Sequence, residues 1–307
     1  MSLRIAVLGA GGVGGLVAAA LSHAAGDVTL VARPETATTI AASGLSVSSP
    51  LLGEFVARVP TVEAVTSPVD CLIVATKSTG LDDALERVAP TSPRLVVPLL
   101  NGIEHLQTLR ARFGSERVVA AVIRIESDRP RAGVIVHAGP GARIDIAGPP
   151  PSATEPIVQA LAAELRAAGL EVRLGASEPD VMWSKLARLC SLALTTTASD
   201  RPIGFVRTDP RWRSALRNAV AETVAVAVAE GARLDADDTI AELEAAQPEL
   251  GSSMQRDVRA GRQPELDAIA GAVLRAGARH GLRCATVEWL AQQVAVRAGG
   301  HAPNAPR

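Results

Sequence analysis

The chain has 307 residues and 48% hydrophobic content, enough for two domains with sizeable cores. Its 31 basic residues nearly balance its 32 acidic ones and only 2% of residues are aromatic, which excludes the basic, ring-bearing surface of a nucleic-acid binder. The three cysteines, Cys71, Cys190 and Cys284, are widely spaced and form neither a disulfide framework nor a zinc spacing, so a reducing cytoplasm and no metal site are expected.

The apolar N-terminus, Leu3 to Leu21, is interrupted by glycines at 9, 11, 12, 14 and 15, where a signal segment needs a continuous helix. No other uncharged run reaches the length of a membrane span, so a soluble protein without a membrane partner is expected. Residues 4–8, RIAVL, read as a buried strand closed by a glycine turn. A helix from about Val13 to Ala25 and a second strand from Val28 to Ala32 complete a βαβ beginning. Further strands are expected at Cys71–Ala75, Leu95–Leu99, Val118–Ile123, Val134–His137, Ile144–Ala147 and Val172–Leu174. Helical patterns lie between them at 80–89, 103–113 and 154–168. Such alternation implies an α/β, Rossmann-type, mostly parallel sheet covered on both faces.

Beyond about residue 176 the strand signals stop. Residues 180–198, 210–231, 236–246, 252–260, 265–280 and 285–298 all carry alanine and leucine at helical spacing. The expected organisation is therefore a Rossmann-type α/β domain over 1–175, an all-α domain over 176–298 and a loose tail over 299–307 that includes His301. The helical domain has enough apolar surface for a homodimer, and a monomer's core would use it equally.

The first turn, Gly9-Ala10-Gly11-Gly12-Val13-Gly14, fits G-x-G-x-x-G. In that pattern the first glycine makes the turn, the second admits a pyrophosphate and the third lets helix and strand pack, while the helix N-terminus attracts the anion. Its position between a strand and a helix separates it from an ordinary glycine turn. The second strand ends Ala32-Arg33-Pro34, with no acid to hold a ribose hydroxyl. Arg33 suits a 2′-phosphate, and therefore NADP(H), although a solvated surface arginine reads the same way. Thr76-Lys77-Ser78 and Leu100-Asn101-Gly102 stand at the carboxyl ends of expected strands, where open α/β sheets bind ligands; Asn-Gly is also a plain turn signal.

A nicotinamide cofactor implies hydride transfer and a group that manages the proton on the substrate oxygen. The chain has no tyrosine, which excludes a Tyr-x-x-x-Lys reductase, and none of its five histidines stands in a recognisable pairing. Lysine occurs only at Lys77 and Lys185 among 31 basic residues. On a helix Lys185 has Val181, Met182 and Leu189 beside it and Arg188 at i+3, an apolar and cationic setting that lowers an amine's pKa and suits a proton donor. A snorkelling lysine covering apolar surface is the alternative. Further on, Pro264-Glu265 reads as a helix start with an acid near the positive dipole end, and Ser253 in Ser252-Ser253-Met254 reads as a helix start too.

Taken in order, the Gly9–Gly14 turn, Arg33, Lys77, Asn101-Gly102, Trp183-x-Lys185-Leu186, and Ser252-Ser253-Met254 with Glu265 resemble the ketopantoate reductase (2-dehydropantoate 2-reductase) family over nearly the whole chain. The resemblance implies an N-terminal Rossmann domain for NADPH and a helical domain that closes over a 2-oxo acid. It implies Lys185 as general acid, Glu265 holding substrate and cofactor, Lys77 and Asn101 on the cofactor with Asn101 also facing substrate, and Ser253 on the substrate. It also implies asparagines four and eight residues after the lysine and another near 203; this chain has Leu189, Ala193 and Ile203-Gly204 there. The hydride machinery is thus expected to be intact and the substrate pocket altered, with ketopantoate the default substrate and a more apolar 2-oxo acid open. A 3-hydroxyacid or 6-phosphogluconate type dehydrogenase is one alternative, although Met182 to Leu189 lacks the glycines and asparagine usual around its lysine. A non-catalytic NADP-binding protein is another.

Overall fold

The structure, a computed structural model, describes residues 3–89, 91–148, 155–300 and 303. His301 and most of the expected tail lie outside the described residues. In chain order the strands are β1 (Ile5–Leu8), β2 (Val28–Val31), β3 (Leu45–Ser49), β4 (Gly53–Ala57), β5 (Thr61–Val62), β6 (Cys71–Val74), β7 (Leu95–Pro98), β8 (Ala121–Arg124), β9 (Ser127–Arg131), β10 (Val134–His137), β11 (Arg143–Ile146) and β12 (Glu171–Leu174). The helices are α1 (Gly12–His23), α2 (Pro34–Ser43), α3 (Leu81–Leu85), α4 (His105–Phe113), α5 (Glu155–Ala167), α6 (Glu178–Ser199), α7 (Ile203–Thr208), α8 (Pro210–Ala229), α9 (Ala236–Ala245), α10 (Ser253–Arg259), α11 (Ala272–Arg279) and α12 (Ala285–Arg297). They form two compact units: Met1–Leu100 with His105–Glu178, and Asn101–Glu104 with Pro179–Arg307.

In the first unit a five-stranded, wholly parallel sheet runs β5-β2-β1-β6-β7. Its central strands are apolar at every position because both faces are covered: Ile5–Leu8 and Cys71–Val74 are buried throughout. Two smaller mixed sheets accompany it, β4-β3-β10-β9 and β12-β11-β8. The run expected as one strand over Val118–Ile123 divides between sheets. Val118 bridges to Val96 of β7, while β8 starts at Ala121 and pairs antiparallel with β11.

In the first unit four strands and a helix lie outside the expected set, each for a physical reason. β3 and β4 form a hairpin whose first strand alternates buried and exposed residues, with serine at three of its five positions. β9, with the sequence SDRPR, is a polar edge strand, the place in a sheet where proline is tolerated. β5 is only two residues long. α2 begins at Pro34 and buries just Ala37 and Ile40, too little for a periodic signal. The helix expected over 80–89 is a short α-helix flanked by 3₁₀ turns at Ser78–Gly80 and Glu86–Val88, the second halted before Pro90.

The second unit is helical among its described residues, with α7 added to the expected set. Its centre is α6, 22 residues with 14 of them buried, among them Ser191 and Thr195–Thr197, whose hydroxyls bond to helix carbonyls or to Ser252. Trp183, Leu186, Cys190, Ala193 and Leu194 enter one core with α11 and α12, while Ala187 and Leu192 enter another with α8 and α9. Among the described residues no helix is long and apolar enough to cross a membrane, and no cluster of three metal-ligating side chains occurs.

The glycine turn is sterically closed. Gly9 has φ +110°, and a Cβ on Gly14 would lie 2.0 Å from the Gly9 carbonyl oxygen. Gly14→Ala is expected to destabilise the protein by about 1–3 kcal/mol through overpacking, measured as a lower urea midpoint at unchanged slope.

Candidate active site

At the carboxyl end of β1, α1 presents its N-terminus with Gly11 as its N-cap and no side chain capping it. The space where a Cβ of Gly11 would project is open, whereas one on Gly12 would meet the Ser127 carbonyl oxygen of β9 at 2.6 Å. Ala10 and Val13 pack their side chains on the core beneath. The turn is therefore open at Gly11 and closed by β9 at Gly12. At the end of β6, Thr76 Oγ1 is buried without a hydrogen-bond partner, and the neighbouring Lys77 is exposed at the head of a 3₁₀ turn.

Arg33, exposed at the N-cap of α2, lines a hollow of about 640 Å³ together with Thr36, Thr39, Arg87 and Arg129. Three guanidinium-bearing residues make the lining of this hollow mainly cationic; among the described lining residues Glu35 is the one acid. Arg87 and Arg129 were not legible as partners of Arg33, since they arrive from a 3₁₀ turn and from the unrecognised β9.

In the second unit, Lys185, Asn101 and Glu265 come together. Lys185 Nζ donates to Asn101 Oδ1 at 2.9 Å, and Asn101 Nδ2 donates to Glu265 Oε2 at 2.9 Å. The amide orientation is fixed chemically, because its oxygen must face the ammonium and its nitrogen the carboxylate. Glu265 is 9% exposed; Lys185 and Asn101 are half-buried. Asn101 reaches this position through Gly102, with φ +83° and a would-be Cβ 2.3 Å from the Ala268 carbonyl oxygen. Ile103 then packs into the helical core. Glu265 directly precedes a helix that starts at Leu266 with a π-turn at Asp267–Gly271, a distortion common at functional sites. The cation expected to press on Lys185 is engaged elsewhere: Arg188 pairs with Glu242 at 3.5 Å.

The two serines divide their roles. Ser252 is buried, caps α10 by accepting from Gln255 N at 3.1 Å, and accepts from Thr196 Oγ1 at 3.0 Å. Ser253 is the exposed first residue of that helix. Leu189 is half-buried beside Lys185, whereas Ala193 and Ile203 are 0% exposed. Cysteine nucleophiles are excluded: burial pushes the Cys71 and Cys190 thiols up to about 12 and that of Cys284 to about 11.

Two family models match the chain, the ketopantoate reductase PanE/ApbA model over residues 5–149 and its C-terminal counterpart over 180–298. The chain belongs to the ketopantoate reductase family. It is accordingly an oxidoreductase acting on CH–OH groups. The 2-dehydropantoate 2-reductase of Caulobacter vibrioides is 31% identical over 91% of this chain and 93% of its own. A crystal structure of 2-dehydropantoate 2-reductase from Geobacter metallireducens superposes with a TM-score of 0.87 at 29% identity, covering 95% of this chain and 99% of its own. A D-mandelate dehydrogenase solved with NADH and anilino(oxo)acetate has the same TM-score at 22% identity, over 96% of this chain and 98% of its own, and shares the fold.

Ser252→Ala is expected to cost about 0.5–2 kcal/mol of stability through the lost cap, seen as a lower thermal midpoint. Ser253→Ala is expected to leave that midpoint in place.

Proposed function

We propose that the protein reduces a 2-oxo acid to the 2-hydroxy acid with NADPH, the first unit holding the cofactor and the second supplying the acid. The observation that carries this reading is the Lys185–Asn101–Glu265 chain, which aims an ammonium by a fixed amide. The reduced nicotinamide, when bound, supplies a hydride to the carbonyl carbon. Lys185 gives a proton to the carbonyl oxygen, and Asn101 and Glu265 hold the amine in the direction that this transfer needs. Support for the cofactor comes from the open side of the Gly9–Gly14 turn at the start of α1, the unpaired Thr76 hydroxyl beside it, Lys77, and the Arg33, Arg87 and Arg129 hollow, whose charge suits a 2′-phosphate. Exposed Ser253 is assigned to the substrate. Three free, buried cysteines suit a reducing cytoplasm.

Ketopantoate, the substrate of a pantothenate-forming step, is the default. Leu189, Ala193 and Ile203 favour a second reading, a 2-oxo acid with an apolar side chain, because none of them offers a side-chain hydrogen bond to a substrate hydroxyl. The test is NADPH oxidation against a panel of 2-oxo acids that includes ketopantoate. Lys185→Ala is expected to lower kcat about 10²–10⁴-fold on the best substrate; a mutant as fast as wild type would remove Lys185 from the mechanism. Arg33→Ala is expected to weaken NADPH binding while hardly changing NADH, and equal losses for both would contradict the phosphate role.

A further inference from the structure

Arg275 takes no part in the chemistry described so far, yet its side chain joins the two segments that carry Asn101 and Glu265. Its Nε and Nη2 donate to Glu104 Oε1 and Oε2 at 2.8 and 2.6 Å. Its Nη1 donates to Asp267 Oδ1 at 2.8 Å, and its Nη2 reaches Asp267 Oδ2 at 3.2 Å and the Asp267 carbonyl at 3.3 Å. Glu104 stands three residues after Asn101, and Asp267 two residues after Glu265. One planar fork therefore clamps both arms that converge on the amide between Lys185 and Glu265.

The backbone is shaped to admit the clamp. A Cβ at Gly271 would lie 2.4 Å from Asp267 Oδ1 and 2.9 Å from Arg275 Nη1, so a side chain there would break it. The π-turn over Asp267–Gly271 widens the helix at the residue that Arg275 grips. The three side chains are 29% (Arg275), 43% (Glu104) and 71% (Asp267) exposed, and pairs so open to water add little stability. Bidentate geometry, by contrast, fixes direction whatever its net energy.

We propose that Arg275 is a positioning residue for the reaction: it sets segment 101–104 against the turn after Glu265, and so holds the Asn101 amide where it orients the Lys185 ammonium. This rests on the reading of Lys185 as proton donor. The test compares wild type, Lys185→Ala, Arg275→Gln, Arg275→Lys, Glu104→Gln and the Glu104→Gln/Arg275→Gln double variant. For each, kcat and KM on the best 2-oxo acid, the deuterium isotope effect with 4-deuterated NADPH, NADPH affinity by fluorescence, and the thermal midpoint are measured.

The expected result for Arg275→Gln is a kcat lowered about 10–100-fold, as an ångström-scale misplacement produces, with a larger isotope effect and unchanged NADPH affinity. Arg275→Lys should fall between it and wild type, because an ammonium keeps the charge but lacks the planar fork that grips a carboxylate through two parallel donors. The double variant should be no slower than Arg275→Gln alone, since both remove one device. A variant with a lower midpoint but wild-type kcat and isotope effect would overturn the proposal and leave Arg275 a structural ion pair. If Arg275→Gln does not fold, Glu104→Gln carries the same comparison. An unimpaired Lys185→Ala would instead overturn the proton-donor reading, so the two failures are distinguishable.

Discussion

An asparagine amide held between an ammonium and a carboxylate is the constraint around which the candidate site is built. A neutral amide offers an acceptor at its oxygen and donors at its nitrogen, so Asn101 meets Lys185 and Glu265 together. A carboxylate as buried as Glu265 is costly without such a donor. The requirement propagates outward. Asn101 must leave the end of β7 and join the helical unit, Gly102 must take a positive φ against the Ala268 carbonyl, and Glu265 must stand at the mouth of a helix that opens in a π-turn.

The helix that carries Lys185 explains why a charge can be held there. α6 is packed into apolar cores on two sides, and the cation one turn on, Arg188, is drawn off to Glu242. Lys185 is left as the positive group of the stretch that faces Asn101. The same packing bears on substrate choice. Ala193 and Ile203 are sealed in the cores, and Leu189 presents only hydrocarbon, so none of these positions offers a side-chain hydrogen bond.

Much of this was legible in the sequence where a residue type is forced by local physics. The glycine turn, the apolar strands β1, β2, β6 and β7, and the long helices of the second unit declare themselves by sterics and period. Lysine at Lys185, one of only two lysines in the chain, singled out a position that the structure joins to Asn101. What stayed hidden depends on contacts distant in sequence. No local pattern shows that Asn101–Glu104 belongs with helices that begin some 80 residues later, or that SDRPR pairs with β10 as an edge strand and hydrogen-bonds to the start of α1. Arg87 and Arg129 become partners of Arg33, and Arg275 of Glu104, only in three dimensions.

The scarcity of lysine also makes the central interaction directly observable. With only Lys77 and Lys185 in the chain, the side-chain ¹⁵N spectrum of lysine-labelled protein contains two ammonium signals, assigned by Lys77→Arg. Asn101→Ala is predicted to shift the Lys185 signal and leave that of Lys77 in place. An unmoved Lys185 signal would mean that the ammonium is not held by this amide, and the site built on it would not stand.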